Sequence, residues 1–167
     1  MPPKPAGEPE EVKYLYMKVV GGEVTSAAAL APKCGPIGLP PKKVGEDIQK
    51  ATTKWKGVKI SIEIAVLNRN CTVKVMPTAA PLIIEALKEG GRDRKKTKNV
   101  QHNGNIKFDD VLKIAKTMRE AKKSMAVLFE GTVKEILGTC VSLGCTIDGK
   151  SAKEVTALVN DGEIKCS

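Results

Sequence analysis

The chain of 167 residues is long enough for one ordinary domain or two small units, and 41% hydrophobic residues suffice for a core. Its 28 Lys and Arg against 19 Asp and Glu leave a net charge of +9, which makes a polyanion the first partner to consider. No run of about 18 apolar residues supplies a membrane span, the five cysteines (Cys34, Cys71, Cys140, Cys145, Cys166) contain no CxxC pair, and His102 is the only histidine; a membrane protein, a disulfide framework and a structural zinc site are all disfavoured.

The first ten residues are rich in Pro and polar groups and read as a mobile tail, and Met1-Pro2-Pro3-Lys4-Pro5 lacks the apolar stretch of a secretory leader. Val12 to Val20 alternates as a strand with Leu15, Met17 and Val19 on one face, ended by Gly21-Gly22. In the following AAALAPKCGPIGLPPKK, Pro32, Pro36, Pro40 and Pro41 fix φ and remove four backbone donors, which predicts neither a strand nor a plain helix. Pro41 suits a first helical turn, after which Val44, Ile48, Ala51 and Trp55 fall on one amphipathic stripe. Val58, Ile60, Ile62, Ile64 and Val66 then alternate with Lys59, Ser61, Glu63 and Ala65 in the clearest strand of the chain. Leu67-Asn68-Arg69-Asn70 can turn it back onto Cys71, Val73 and Val75, and Pro77 stops the hairpin.

From Thr78 the period becomes helical. Pro81 sits in a first turn, Leu82, Ile83, Ala86 and Leu87 form an apolar face, and Gly90-Gly91 should end the helix. Residues 92–105 are polar and basic, hence a loop. A helix over Phe108 to Met118 buries Val111, Ile114, Ala115 and Met118, with Asp109 and Asp110 at the positive end of its dipole. A third helix runs from Val127 to Leu143 with Gly144 as its cap, and Ser151 and Glu154 have the spacing of a capping box before Val155, Leu158 and Val159. The expected fold is α+β: a mobile tail over 1–10, a two-layer α/β lobe of three strands plus helices over 11–77, a strandless all-α bundle over 78–150 with a basic loop at 88–107, and a short helix and tail over 151–167.

Lys88 to Lys123 holds twelve Lys or Arg against five Asp or Glu, a net +7 of the total +9. Such a run is either a solvated face or localisation signal, or a phosphate-binding loop beside the bundle. The second reading fits a helix presenting Gly138, Thr139, Ser142 and Gly144, because small residues admit close approach and hydroxyls can bond a sugar–phosphate surface. An aromatic content of 3% argues against a stacking platform and for folded RNA read by shape. Gly144 to Ser151 matches the phosphate-loop pattern G-x(4)-G-K-[ST], yet a helix precedes it where a strand is required. His102 reads as a loop residue without a partner carboxylate, the cysteines as small core residues, and Pro32-Lys33-Cys34-Gly35-Pro36 as a rigid connector apolar enough to dock a partner.

Three segments, GGEVTSAAALAPKCGPIGLPPKKVGEDIQKAT, RDRKKTKNVQHNGNIKFDDV and KEILGTCVSLGC, together closely resemble the eukaryotic form of the large-subunit ribosomal protein eleven family, over roughly residues 11–150. The resemblance implies a non-enzymatic, cofactor-free, two-lobed protein at the ribosomal stalk base, cytoplasmic on the ribosome and nucleolar during assembly. Its C-terminal lobe would bind the GTPase-associated region of large-subunit rRNA, and its N-terminal lobe would meet the stalk protein and, transiently, translational GTPases. Carried over by motif, the RNA-facing residues are Gly138, Thr139, Ser142 and Gly144 on the helix and Gly104, Asn105, Ile106 and Lys107 before the preceding one. Arg92, Arg94, Lys95, Lys96 and Lys98 supply the basic loop, and Pro32, Gly35 and Pro36 the factor-docking segment. Lys107 stands where relatives often have Thr, so an N-cap hydroxyl is lost; Val141 stands where many carry Arg or Gln, and Cys140 where Ala is usual. Pro2-Pro3-Lys4, once Met1 is removed, resembles an α-N-methylation signal. The alternatives are a basic protein–protein adaptor docking through the proline segment, and a nucleotide hydrolase on Gly149-Lys150-Ser151 that Lys150→Ala would disable.

Overall fold

Alternation of apolar and polar residues writes the first strand, β1 (Lys13–Val20), with Met17 and Val19 buried and Tyr14, Tyr16 and Lys18 exposed on the other side. This is a computed structural model describing residues 12–68, 70–89, 96 and 100–166, and the chain divides into two units between Met76 and Pro77.

In the first unit β1 pairs antiparallel with β2 (Lys59–Leu67), which pairs antiparallel with β3 (Asn70–Met76), so the most apolar strand is central. Met17 lies opposite Ile62, and Ile64 opposite Val73. Ile60, Ile62 and Ile64 are fully buried beside Leu30, Cys34, Val44 and Ile48; each such side chain contributes about 2–3 kcal/mol.

The crossover corrects two expectations. The proline segment does contain a regular helix, α1 (Ala27–Cys34), with Pro32 inside it, followed by a 3₁₀ turn at Gly35–Ile37. Pro32 withdraws one i→i−4 bond, but the acceptor it leaves belongs to exposed Ala28, where solvent can satisfy it, while Leu30 and Cys34, four residues apart, anchor the helix in the core. Helix α2 (Pro41–Ala51) starts at Pro41 and buries Val44 and Ile48 as expected, but its stripe leaves through Thr52 instead of Ala51, which is exposed; Trp55 sits in a separate 3₁₀ turn, Thr53–Trp55. The buried Thr52 hydroxyl donates to the Ile48 carbonyl (2.7 Å) and accepts from the Gly22 N–H (3.1 Å), so its burial costs no unmade hydrogen bond.

In the second unit α3 (Ala79–Leu87) ends at Lys88, whose left-handed φ of 52° terminates it before Gly90-Gly91, a pair outside the described residues. Helices α4 (Phe108–Glu120) and α5 (Phe129–Leu143) bury Val111, Ile114, Ala115 and Met118 against Val133, Ile136, Leu137 and Cys140. Helix α5 begins at Phe129, not Val127, because Leu128 is extended (ψ 151°) as its N-cap, and Val127 and Leu128 are exposed. The expectation of a strandless bundle is overturned by a second sheet. β4 (Asn105–Ile106) runs parallel to β5 (Thr146–Ile147), and β5 antiparallel to β6 (Lys150–Ser151). Two-residue strands are too short to show a period of two in sequence. Ser151 then caps α6 (Ala152–Asn160): its hydroxyl accepts from the Glu154 N–H and the Glu154 carboxylate accepts from the Ser151 N–H, the capping box read from the sequence.

All five cysteines are free thiols, and Cys34, Cys140 and Cys145 are buried core residues. Burial, with the Cys145 thiol beside it, pushes Cys140 up to about 12. We predict that thiol reagents at pH 8 modify the half-buried Cys71 and Cys166 first and reach Cys34, Cys140 and Cys145 only on unfolding, as peptide mass mapping would read. Because Cys140 loses its proton near 9 when unfolded and near 12 when folded, the unfolded state binds fewer protons in that interval. Stability of the second unit therefore falls as pH rises from 9 towards 12, and Cys140→Ala should flatten that slope.

Candidate nucleic-acid interface

Helix α5 has one face committed to the core through Val133, Ile136, Leu137 and Cys140, which leaves Gly138, Val141 and Ser142 exposed on the other. A Cβ built at Gly138 meets no atom within 4 Å, so the glycine is not required by packing; it leaves bare helix backbone at the surface. The Thr139 hydroxyl donates to the Glu135 carbonyl (3.1 Å) and the Ser142 hydroxyl to the Thr139 carbonyl (2.7 Å). With their protons so engaged, both hydroxyls present lone pairs outward. They can accept from a ribose 2′-OH, whereas a phosphate, which only accepts, gains nothing from them. Gly144 ends the helix in a left-handed conformation (φ 87°) and donates to the Cys140 carbonyl.

The small second sheet brings the other sequence-predicted segment beside this helix end. His102 donates its N–H to the Leu143 carbonyl (3.1 Å), Gly104 accepts from Thr146 N–H (3.0 Å), and Asn105 and Ile106 pair with Thr146 and Ile147. The four residues of that segment then separate by role. A Cβ at Gly104 would stand 2.4 Å from Leu87 Cδ2, the end of a flexible half-buried side chain that can turn aside, so Gly104 is close to α3 without being required by it. Asn105 is exposed, but its Oδ1 accepts from Thr146 Oγ1 (3.1 Å) and Gly149 N–H (3.0 Å), locking the hairpin. Ile106 is buried, so as a surface residue it is corrected: its side chain is core and only its carbonyl, which takes the Asp148 N–H, reaches the edge. Lys107 alone is both exposed and cationic. It is the N-cap of α4 without a side-chain cap, and Asp148 replaces the missing hydroxyl by accepting the Phe108 N–H (3.2 Å).

Of the basic-loop residues, Arg92, Arg94, Lys95 and Lys98 lie outside the described residues and Lys96 is exposed. His102, expected without a carboxylate partner, is buried with its Nδ1 against Glu89 Oε2; thirteen positions separate the pair, so no local pattern announced it. The phosphate-loop pattern resolves into the β5–β6 hairpin. Asp148 (φ 48°) and Gly149 (φ 77°) form its two-residue turn, and Asp-Gly flanked by short strands was the hairpin signal the sequence did contain. Pro32, Gly35 and Pro36 are all exposed on α1 and its 3₁₀ extension, anchored from below by Cys34. Among the described residues no group of three His, Cys, Asp or Glu is placed to hold a metal.

A basic chain of two units, the second displaying a small-residue helix beside a lysine-bearing turn, falls in the class of two-domain RNA-binding proteins. Residues 15–71 match the family described as ribosomal protein L11, N-terminal domain, and residues 75–147 the ribosomal protein L11, RNA binding domain. The chain is 56% identical over 165 residues to large ribosomal subunit protein uL11x of Arabidopsis thaliana, covering 98% of this chain and 97% of that one. It is 53% identical to uL11A of Schizosaccharomyces pombe and to uL11 of Caenorhabditis elegans, in each case over 99% of this chain and 98% of the relative. The chain belongs to the ribosomal protein L11 family, a non-enzymatic constituent of the large ribosomal subunit with an RNA-binding domain.

Proposed function

We propose that the C-terminal unit binds the GTPase-associated region of large-subunit rRNA at the stalk base. Gly138, Thr139, Ser142 and Gly144 meet the minor-groove sugar edge, and Lys107, Arg92, Arg94, Lys95, Lys96 and Lys98 meet the backbone. The observation that carries this reading is the bare α5 surface at Gly138, flanked by hydroxyls whose free lone pairs suit 2′-OH donors. Asn105 and Ile106 support the site from beneath, and Gly104 joins them to it as the residue that accepts the Thr146 N–H. The N-terminal unit, over residues 11–77, presents Pro32, Gly35 and Pro36 to the stalk protein and, transiently, to translational GTPases, with a linker at Met76 to Thr78; the protein is cytoplasmic on the ribosome and nucleolar during assembly.

The test is a salt titration of binding to a transcribed GTPase-centre RNA beside a scrambled hairpin of equal length. Tight, selective binding whose affinity falls several-fold as salt doubles supports phosphate contact plus shape recognition. Equal weak binding to both RNAs would leave only generic charge and favour an adaptor. In the same assay Thr139→Arg, a bulky side chain where close approach is needed, is expected to weaken selective binding about tenfold or more with the thermal transition unchanged, ~1.4 kcal/mol of binding free energy. Retained affinity would remove α5 from the interface.

A further inference from the structure

The inner face of the N-terminal sheet is covered by α1 and α2, and its outer face is a separate surface of different chemistry. Two of the chain's five aromatic residues stand on it: Tyr14 and Tyr16 of β1, 57% and 58% exposed. The register sets Lys18 next along β1, Lys59 opposite Val20, and Lys74 in the same cross-strand row as Tyr16. On the central strand the small side chains of Ala65 and Ser61 stand beside Tyr14 and Lys18, and Glu63 beside Tyr16. The one carboxylate in the centre, Glu63, accepts the Tyr16 hydroxyl at 3.4 Å. The unit as a whole is basic. Residues 12–76 carry eleven Lys or Arg against four Asp or Glu, a net +7 equal to that of residues 88–123.

We propose that this outer face is a second RNA-binding site, for an unpaired strand, with bases stacking on Tyr14 and Tyr16 and phosphates on Lys18, Lys59 and Lys74. Tyrosines two apart on a strand stand about 7 Å apart on one face, and sheet-borne aromatics so arranged stack successive bases, while lysines at the margins follow the backbone. An acidic peptide would use the lysines but has no need of two exposed rings in register, so the ring pair is what selects RNA. The site is independent of the α5 surface and lies on the other unit.

The experiment measures binding of a fluorescein-labelled twelve-nucleotide oligouridine to the full chain by anisotropy, with photo-cross-linking to locate the contact. Tyr14→Thr/Tyr16→Thr keeps strand propensity on an exposed face and is expected to reduce affinity about tenfold or more with an unchanged salt slope and melting temperature, since stacking contributes affinity without phosphate contact. Lys18→Gln/Lys74→Gln should instead reduce the salt slope by about one to two. Thr139→Arg should leave oligouridine binding unaltered, which separates failure of this site from failure of the α5 surface. Cross-links at Tyr14 or Tyr16 support the proposal. Oligouridine held equally by the double tyrosine variant, or cross-linked only beyond residue 76, overturns it; so does a labelled decaglutamate bound more tightly than the RNA and lost in the same variant.

Discussion

Gly138→Leu is expected to give a more stable protein that binds RNA less well. Glycine in a helix interior costs close to 1 kcal/mol relative to good helix formers, so leucine should add about 0.8 kcal/mol. The space is available, because nothing lies within 4 Å of a Cβ at that position and the residue is exposed in the middle of α5. For a unit of this size the gain corresponds to a rise of roughly 4–6 °C in Tm. A nucleic-acid surface resting on the bare backbone would be pushed off by the new side chain, and affinity for the GTPase-centre RNA should drop about tenfold or more, ~1.4 kcal/mol. Thermal melts and filter binding on the same samples read both effects. A stabilised protein with native affinity would mean that RNA lies elsewhere; a destabilised one would mean that α5 is packed more tightly there than the geometry shows.

Gly21→Ala is expected to have the largest effect on stability. A Cβ at Gly21 would sit 2.2 Å from the Trp55 carbonyl oxygen, 2.7 Å from its carbon and 2.8 Å from its Cβ. The neighbours are backbone, not the end of a flexible side chain, so β1 or the Trp55 turn must move. Either movement strains the bonds that close this corner, Gly21 N–H to the Val58 carbonyl (2.9 Å) and Gly57 N–H to the Gly21 carbonyl (3.0 Å). The loss should reach about 3 kcal/mol, the upper end of overpacking costs. Gly35→Ala supplies the control, since its Cβ meets nothing within 4 Å and its φ is −56°. Urea denaturation followed by the fluorescence of Trp55, the sole tryptophan, reports on this unit directly. Equal midpoints for the two variants would refute the argument.

The proline segment shows how a correct local rule can mislead. Each proline does remove a donor, but the rule prices only the missing bond; Leu30 and Cys34, buried one turn apart, outweigh one bond ceded to solvent at Ala28. Asp148 teaches the converse. Seen in sequence it belongs to a phosphate-loop pattern, yet in the fold it turns a hairpin and caps a helix forty residues earlier in the chain.

Features that depend on neighbours within a few positions can be read from the residues alone. The central strand at Ile60 to Val66, the inward faces of α4 and α5, the Gly144 cap and the Ser151–Glu154 box follow from periods of 2 and 3.6 and from backbone donors at helix ends. Three whole segments carried the family resemblance as well. Which candidate residues lie at the surface was set by packing in three dimensions. Ile106 went to the core, Asn105 to the hairpin and His102 to Glu89, while Gly138 stayed bare and the face that carries Tyr14 and Tyr16 was left uncovered. Those outcomes depend on contacts between residues 13 to 47 positions apart, and burial and hydrogen-bond satisfaction at such separations are properties of the packed chain, which no local period encodes.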